Sequence, residues 1–488
     1  MLFHTWVFAV FFLIVYPVYL LVKHDNRWMN LWLMLASYAF YGWWNPSYLL
    51  LLFGTSAIDY LMVILMERSA SQKNRKLWLI ISLVSNFGFL GFFKYSHFIT
   101  DNLNWILEHA HLALRLPDPV AYPNVALSLF GVPESHLFAQ VVLPIGISFH
   151  TFQSMSYTID AYYGNIQTER SFVRFLTFVS FFPQLVAGPI ERASNLLPQL
   201  QGKPVVTRDD ITNGLALFLI GFFKKVALAD YLALYVDKVY NSPSNYPSGA
   251  LVMATIAFAW QIYFDFSGYT DMARGLAQLM GFRLMLNFNN PYVATGLGDF
   301  WSRWHISLST WFKDYVYFPL GGNRRGKGRT YFNMFVTMLI SGVWHGAAWT
   351  FVIWGVLHAI GRMATRELEA KAWYRDRIPR LVKQVLVFAF VCLAWIFFRA
   401  EDFAVARLFI SGMGNGWADG VQQAGPFMVV LIAIGLAGQF TSDALFDRAA
   451  AAFERMPVWG LGAAAGIVVA VINALGPEGV APFIYLRF

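Results

Sequence analysis

The chain has 488 residues, 57% of them hydrophobic and only 13% charged, against roughly 25% charged in an ordinary soluble domain. With a mean hydropathy of +0.49 and many apolar runs of about 20 residues, this composition excludes a string of soluble domains and predicts a polytopic membrane protein. The net charge of +8 reads as basic cytoplasmic loops and not as nucleic-acid binding, while the single cysteine, Cys392, excludes an intrachain disulfide and a thiolate metal cluster.

Spans are predicted at 3–22, 29–45, 47–66 and 77–95, the first a retained helix because it has no cleavable leader pattern. The loop after the third carries Arg68, Lys73, Arg75 and Lys76 and is assigned to the cytoplasm. Counting back places Lys23 and Arg27 inside and the N-terminus outside. Counting forward places 96–136 outside, and its Asp101, Glu108, Asp118 and Glu134 against Arg115 alone agree. Further apolar segments follow at 137–160, 172–190, 211–235, 249–282, 331–361, 383–399, 426–440 and 458–475. With no repeat or detachable soluble part, the whole of 1–488 is expected to form one membrane domain, with a catalytic core at about 137–400.

Two of these segments are poor plain spans. Residues 137–160 contain Pro144, Gly146, His150, Gln153 and Asp160, and residues 249–282 contain Gln261, Asp265, Ser267, Asp271 and Arg274. Ionisable groups at membrane depth are costly and normally face a cavity, a partner or a substrate path. Their clustering just before Trp301 predicts a polar cavity, with Asp265, Ser267, Asp271, Trp304 and Trp344 as lining candidates.

The stretch 299–346 organises the rest. It holds two Trp-His pairs, Trp304-His305 and Trp344-His345, 40 positions apart, with the basic loop Asn323 to Arg329 between them. Arg303 to Val316 carries Leu308, Trp311, Phe312 and Tyr315 at helical spacing beside Ser302, Ser309, Lys313 and Asp314, which predicts an amphipathic helix lying at the interface. The basic loop reads either as a cytoplasmic loop or, through Arg303, Arg324, Arg325 and Lys327, as a contact for the phosphates of a donor molecule.

Segment 331–361 has basic residues at both ends, with Arg362, Arg366, Lys371 and Arg375 following it. Two cytoplasmic ends forbid a single crossing. At 1.5 Å per residue its 31 residues make about 46 Å of helix, enough for two arms of roughly 23 Å that descend and return. Gly342 and Gly346 mark the break, which puts His345 at the tip. Non-helical backbone at that depth is tolerated only inside protein or along a cavity, where desolvation favours the neutral imidazole that a general base requires. His305 is then expected near a cytoplasmic entrance and His345 at the reaction centre. No zinc pattern, nucleophile elbow or phosphate-binding loop is present, so no metal site is predicted.

The runs Phe300-Trp-Ser-Arg-Trp-His305-Ile-Ser-Leu-Ser-Thr-Trp311, Pro319-Leu-Gly-Gly-Asn323 and Trp344-His345-Gly346 resemble the membrane-bound O-acyltransferase family. Within it they are similar to the alginate O-acetyltransferase membrane-subunit branch. Tyr38 to Trp44, Leu143 to Gln153, Val186 to Ile190, Tyr263 to Met272, Trp395 to Arg399 and the terminal Phe483-Ile-Tyr485-Leu-Arg-Phe488 carry the resemblance along nearly the whole chain. It implies an all-α bundle of about eleven spans, with re-entrant and interfacial helices around a central tunnel.

It also implies His345 as catalytic residue and His305 as the family's second histidine. The implied donor is cytoplasmic acetyl-CoA, with no permanently bound cofactor. The expected location is the bacterial inner membrane, surrounded by lipid, with a periplasmic SGNH-type acetyltransferase as partner. Tyr485 matches a terminal tyrosine thought to relay the acyl group; the plainer reading is an aromatic interfacial anchor. Peptidoglycan O-acetylation, D-alanyl or other acyl transfer and, outside enzymes, small-solute transport remain the alternatives.

Overall fold

The computed structural model describes residues 1–117, 119, 146–414, 421–441, 451, 454, 456–477 and 483–484. The expected extracytoplasmic residues Asp118 and Glu134, and Tyr485, lie outside these. Regular structure among the described residues is helical throughout. Among the described residues four helices are long and apolar enough to cross a membrane: Tyr48–Arg68, Ser248–Leu279, Arg380–Arg399 and the continuous stretch Gln72–His109. The chain divides into two compact units, one comprising Met1–Leu21, Ala187–Glu191 and Pro204–Phe488, the other Val22–Val186 and Arg192–Lys203.

Helix α1 (Trp6–Val22) opens the larger unit. The smaller unit holds α2 (Asn26–Gly42), α3 (Tyr48–Arg68), α4 (Gln72–Leu90), α5 (Ser96–His109), α6 (Ile147–Tyr163), α7 (Phe172–Ser180) and α8 (Ala193–Gln201). Asp25 starts α2 by accepting from the Arg27 and Trp28 amides, and Ser171 starts α7 by accepting from Arg174 N. Where α3, α4 and α6 meet, the buried Asp59 carboxylate accepts from Ser82 Oγ, Asn86 Nδ2 and Ser154 Oγ. A charge in an apolar interior is tolerable only when its acceptor capacity is filled in this way. His150, fully buried on α6, has no hydrogen-bond partner among the described residues.

The larger unit resumes with α9 (Arg208–Phe223), a π-helical segment Lys224–Ala229, α10 (Asp230–Tyr240) and the 32-residue α11 (Ser248–Leu279). Thr207 and Asp210 form a capping box on α9. α9 and α11 lie antiparallel along a glycine seam. A Cβ on Gly221 would meet Gly268 O at 2.4 Å, and one on Gly275 would meet Gly214 O at 2.5 Å. In lipid, where burial of apolar surface gives no driving force between helices, such close backbone approach supplies the packing energy. The seam also fixes what lies one turn away: Lys224 reaches Asp271 at 2.6 Å, and Lys225 reaches Asp265 at 2.8 Å and Asp230 at 2.7 Å.

Beyond α11 come two seven-residue helices, α12 (Leu297–Arg303) and α13 (Ile306–Phe312), then a π-helical turn Lys313–Tyr317. The hairpin α14 (Gly326–His345) and α15 (Trp349–Glu369) follows, then α16 (Arg380–Arg399), α17 (Phe403–Gly412), α18 (Val421–Gln439) and α19 (Val458–Leu475).

The segment read as 331–361 is indeed two helices, broken at Gly346 with His345 as the last residue of the first. Its arms are longer than expected, at 20 and 21 residues. The excess is charged: Lys327 pairs with Glu367 at 2.6 Å, and the Tyr331 hydroxyl also meets that carboxylate. From Tyr331 to His345 is about 21 Å of helix, close to the expected arm. A Cβ on Gly342 would stand 2.4 Å from Phe351 O, and one on Gly355 2.6 Å from Met338 O, so these two glycines are where the arms touch.

Candidate active site

The expected amphipathic helix over Arg303 to Val316 is not continuous, and His305 does not lie on an exposed helix face. The chain breaks at Trp304-His305, where His305 adopts φ +43°, and the imidazole is fully buried. A left-handed non-glycine residue is uncommon and persists only where its surroundings fix it. Here the segment Asn287–Asn289 runs beside the break: Asn289 N donates to Arg303 O at 2.9 Å, and Ile306 N donates to Asn287 O at 3.0 Å.

The Asn287 side chain completes the clamp. Its Oδ1 accepts from His305 Nδ1 at 3.1 Å and from Ser307 Oγ at 3.0 Å, while Ser307 Oγ accepts from Ile190 N at 3.0 Å. With Nδ1 donating, the lone pair of His305 resides on Nε2. His305 lies outside the long spanning helices. Burial lowers its pKa from the ordinary 6.5 to about 3, so the ring is neutral.

His345 ends α14 with 5% exposure. Its ring lies 4.9 Å from Trp344, 5.0 Å from Trp354 and 5.2 Å from Phe398. Trp344 in turn lies 6.3 Å from His305. The expectation of two separate places, an entrance at His305 and a centre at His345, is therefore revised: one indole joins them. Periodicity missed this because it treated residues 303–316 as one helix, whereas the left-handed turn at His305 points the imidazole inward.

The sequence reading also missed His358. It is fully buried on α15, 4.6 Å from Trp354 and 5.0 Å from Trp301, and neither ring nitrogen has a hydrogen-bond partner among the described residues. Its spacing from Trp354, one helical turn, was the available signal. Trp304 packs against Phe288 at 5.0 Å and Trp395 at 5.1 Å and belongs to the aromatic floor of the site.

A cavity of about 250 Å³ adjoins this core. Trp301, Leu308, Phe312 and Met338 form its apolar wall, and the polar lining residue Ser341 stands one turn before His345. Lys313, Arg362 and Arg366 line it as cations. Gly298 makes room for the Arg362 guanidinium, which would stand 2.6 Å from a Cβ there. These three cations were read from sequence only as features of an interfacial helix and a cytoplasmic end.

The four cations singled out for donor binding do not line this cavity. Arg303 pairs with Asp299 at 2.6 Å, Lys327 pairs with Glu367, and Arg324 and Arg325 are exposed. Of the lining candidates, Asp271 borders a second, polar cavity of about 460 Å³ with Lys224, Arg274 and Asn289. Asp265 and Ser267 are buried and line neither.

A neutral, clamped imidazole thus stands one indole away from a second histidine, beside a cavity lined by three cations and an apolar wall. Residues 161–403 match the family model described as MBOAT, membrane-bound O-acyltransferase family. The chain belongs to that family. It is 40% identical to a probable alginate O-acetylase of Pseudomonas aeruginosa over 83% of this chain and 73% of that protein. It is 36% identical to a peptidoglycan O-acetyltransferase of Helicobacter pylori over 79% of this chain and 73% of the other. A teichoic acid D-alanyltransferase of Bacillus subtilis is 29% identical over 53% of this chain and 69% of its own length. The membrane-bound O-acyltransferase described here is thus a multi-pass membrane enzyme that transfers acyl groups.

Proposed function

We propose that this chain is the membrane O-acetyltransferase of a polysaccharide-modifying system in the bacterial inner membrane. It takes an acetyl group from cytoplasmic acetyl-CoA and passes it outward for O-acetylation of an extracytoplasmic polymer through a periplasmic SGNH-type partner. The observation that carries the reading is the cavity lined by Lys313, Arg362 and Arg366 whose wall residue Ser341 lies one turn from His345. Cations suit the phosphates of CoA, and the apolar wall suits its pantetheine arm and thioester.

In the proposed step His345, as general base, takes the proton from an incoming hydroxyl, and that oxygen attacks the thioester carbonyl. The carbon–sulfur bond then breaks, and the CoA thiolate leaves with the proton held by His345. His305, held neutral by burial and oriented through Asn287, assists the proton or steadies the donor. Tyr485 is the proposed hydroxyl, which would carry the acetyl group as an ester to the partner.

The 40% identity to an alginate O-acetylase favours a uronic-acid polymer. The Helicobacter relative makes peptidoglycan the second acceptor to test. The test is reconstitution in vesicles with [14C]acetyl-CoA on the face bearing Lys327 and Glu367, followed by recovery of label in a uronic-acid polymer, in peptidoglycan or in neither. Label in the uronic-acid polymer with partner present supports the reading. Label only in peptidoglycan replaces the acceptor, and consumption of a D-alanyl carrier in place of acetyl-CoA overturns the donor.

A further inference from the structure

One turn beyond the Gly221–Gly268 end of the glycine seam, three charged side chains are buried together: Lys225 at 2%, Asp230 at 5% and Asp265 at 3% exposure. The Lys225 ammonium stands 2.7 Å from Asp230 Oδ1 and 2.8 Å from Asp265 Oδ1. Two carboxylates sharing one ammonium leave acceptor capacity over, and in a dry interior that capacity must be met by a donor. The donor is the chain's own end: Ile484 N donates to Asp265 Oδ2 at 2.7 Å. A backbone N–H bonded to a carboxylate is among the stronger hydrogen bonds a protein makes.

The rings on both sides agree. Phe483 and Ile484 are almost fully buried. Phe483 packs 5.1 Å from Tyr269, which Phe3 stacks on at 4.6 Å from the opposite end of the chain. Phe483 also lies 5.9 Å from Phe266, and Phe266 lies 4.7 Å from His305. Phe483, Phe266, His305, Trp344 and His345 thus form an unbroken row of ring contacts. Phe483, two positions before Tyr485, is therefore separated from His305 by one ring, that of Phe266.

We infer that Lys225, Asp230 and Asp265 form a docking station for the chain's own C-terminal segment, which holds the Ile484 amide so that the following hydroxyl is delivered to the His305–His345 core. Asp265 is a positioning residue that binds the tail; it takes no part in bond making. The inference rests on the relay role of Tyr485 for its purpose, but the docking itself does not depend on that role.

The test uses the full-length chain in nanodiscs with [14C]acetyl-CoA, comparing wild type with Asp265→Asn and Ile484→Pro. Ile484→Pro removes the N–H but leaves the buried Lys225, Asp230 and Asp265 charges in place, so it remains informative if Asp265→Asn unfolds. Both variants are expected to slow labelling of Tyr485 at least tenfold, with the KM for acetyl-CoA within twofold of wild type. Hydrogen exchange in the peptide ending at Phe488 should be at least tenfold faster in both. Wild-type exchange in Ile484→Pro overturns the docking station. Absence of label on Tyr485 in the wild type overturns the relay reading instead; slow exchange in wild type and fast exchange in the variants would then still support the dock.

Discussion

His305 and His345, 40 positions apart in sequence, contact the same indole: their rings lie 6.3 Å and 4.9 Å from that of Trp344. Neither position alone says this, since one imidazole sits at a left-handed break between two short helices and the other at the end of a long one. The consequence is that the two imidazoles share one aromatic neighbourhood around Trp344. Four consequences can be measured.

Asn287 holds His305 in its tautomer. Asn287→Ala removes the acceptor of His305 Nδ1 and Ser307 Oγ in a buried site, which should cost about 1–3 kcal/mol of stability. Turnover should fall by less than the roughly 10²–10⁴-fold that general acid–base catalysis contributes, because the imidazole remains but loses its fixed orientation. Thermal unfolding alongside steady-state kinetics separates the two effects. A loss of stability with unchanged kcat would limit Asn287 to structural support.

The α14–α15 hairpin depends on backbone contact at Gly342 and Gly355. Gly355→Leu places a side chain where the first carbon already meets Met338 O at 2.6 Å. Overpacking of this kind costs about 1–3 kcal/mol. The variant should unfold at lower temperature and lose activity, since parting the arms moves His345 from Trp354. The unfolding temperature provides the readout, and a wild-type value with wild-type activity would refute the hairpin contact.

Donor binding should depend on the cavity cations and not on the exposed loop. Arg362→Gln combined with Arg366→Gln is expected to raise the KM for acetyl-CoA at least tenfold, about 1.4 kcal/mol. Arg324→Gln with Arg325→Gln should leave it within about twofold, because exposed charges in water contribute little. Reversal of that order would return donor binding to the basic loop.

Much of the fold was legible because hydropathy and charge asymmetry are strong signals in a membrane protein. The described helices fall close to the predicted segments, and the break before Gly346 followed from basic residues at both ends of 331–361. What the sequence concealed was made by backbone geometry or by distant contact. His305 turns inward because of a positive φ, which no periodicity reports. Asp265 looked like a cavity liner, yet it binds Lys225 and the Ile484 amide, 219 positions away. Arg362 and Arg366 appeared only as a charged helix end until Gly298 was seen to admit a guanidinium beside the cavity.

In the proposed reaction His345 is the base that starts acyl transfer. The most direct test of that role is single-turnover release of CoA thiol from acetyl-CoA by purified His345→Ala in nanodiscs, with the unfolding temperature measured on the same sample. The rate is expected to fall at least about 10²-fold while the protein stays folded and inserted. Release at the wild-type rate from a folded His345→Ala protein would contradict that role.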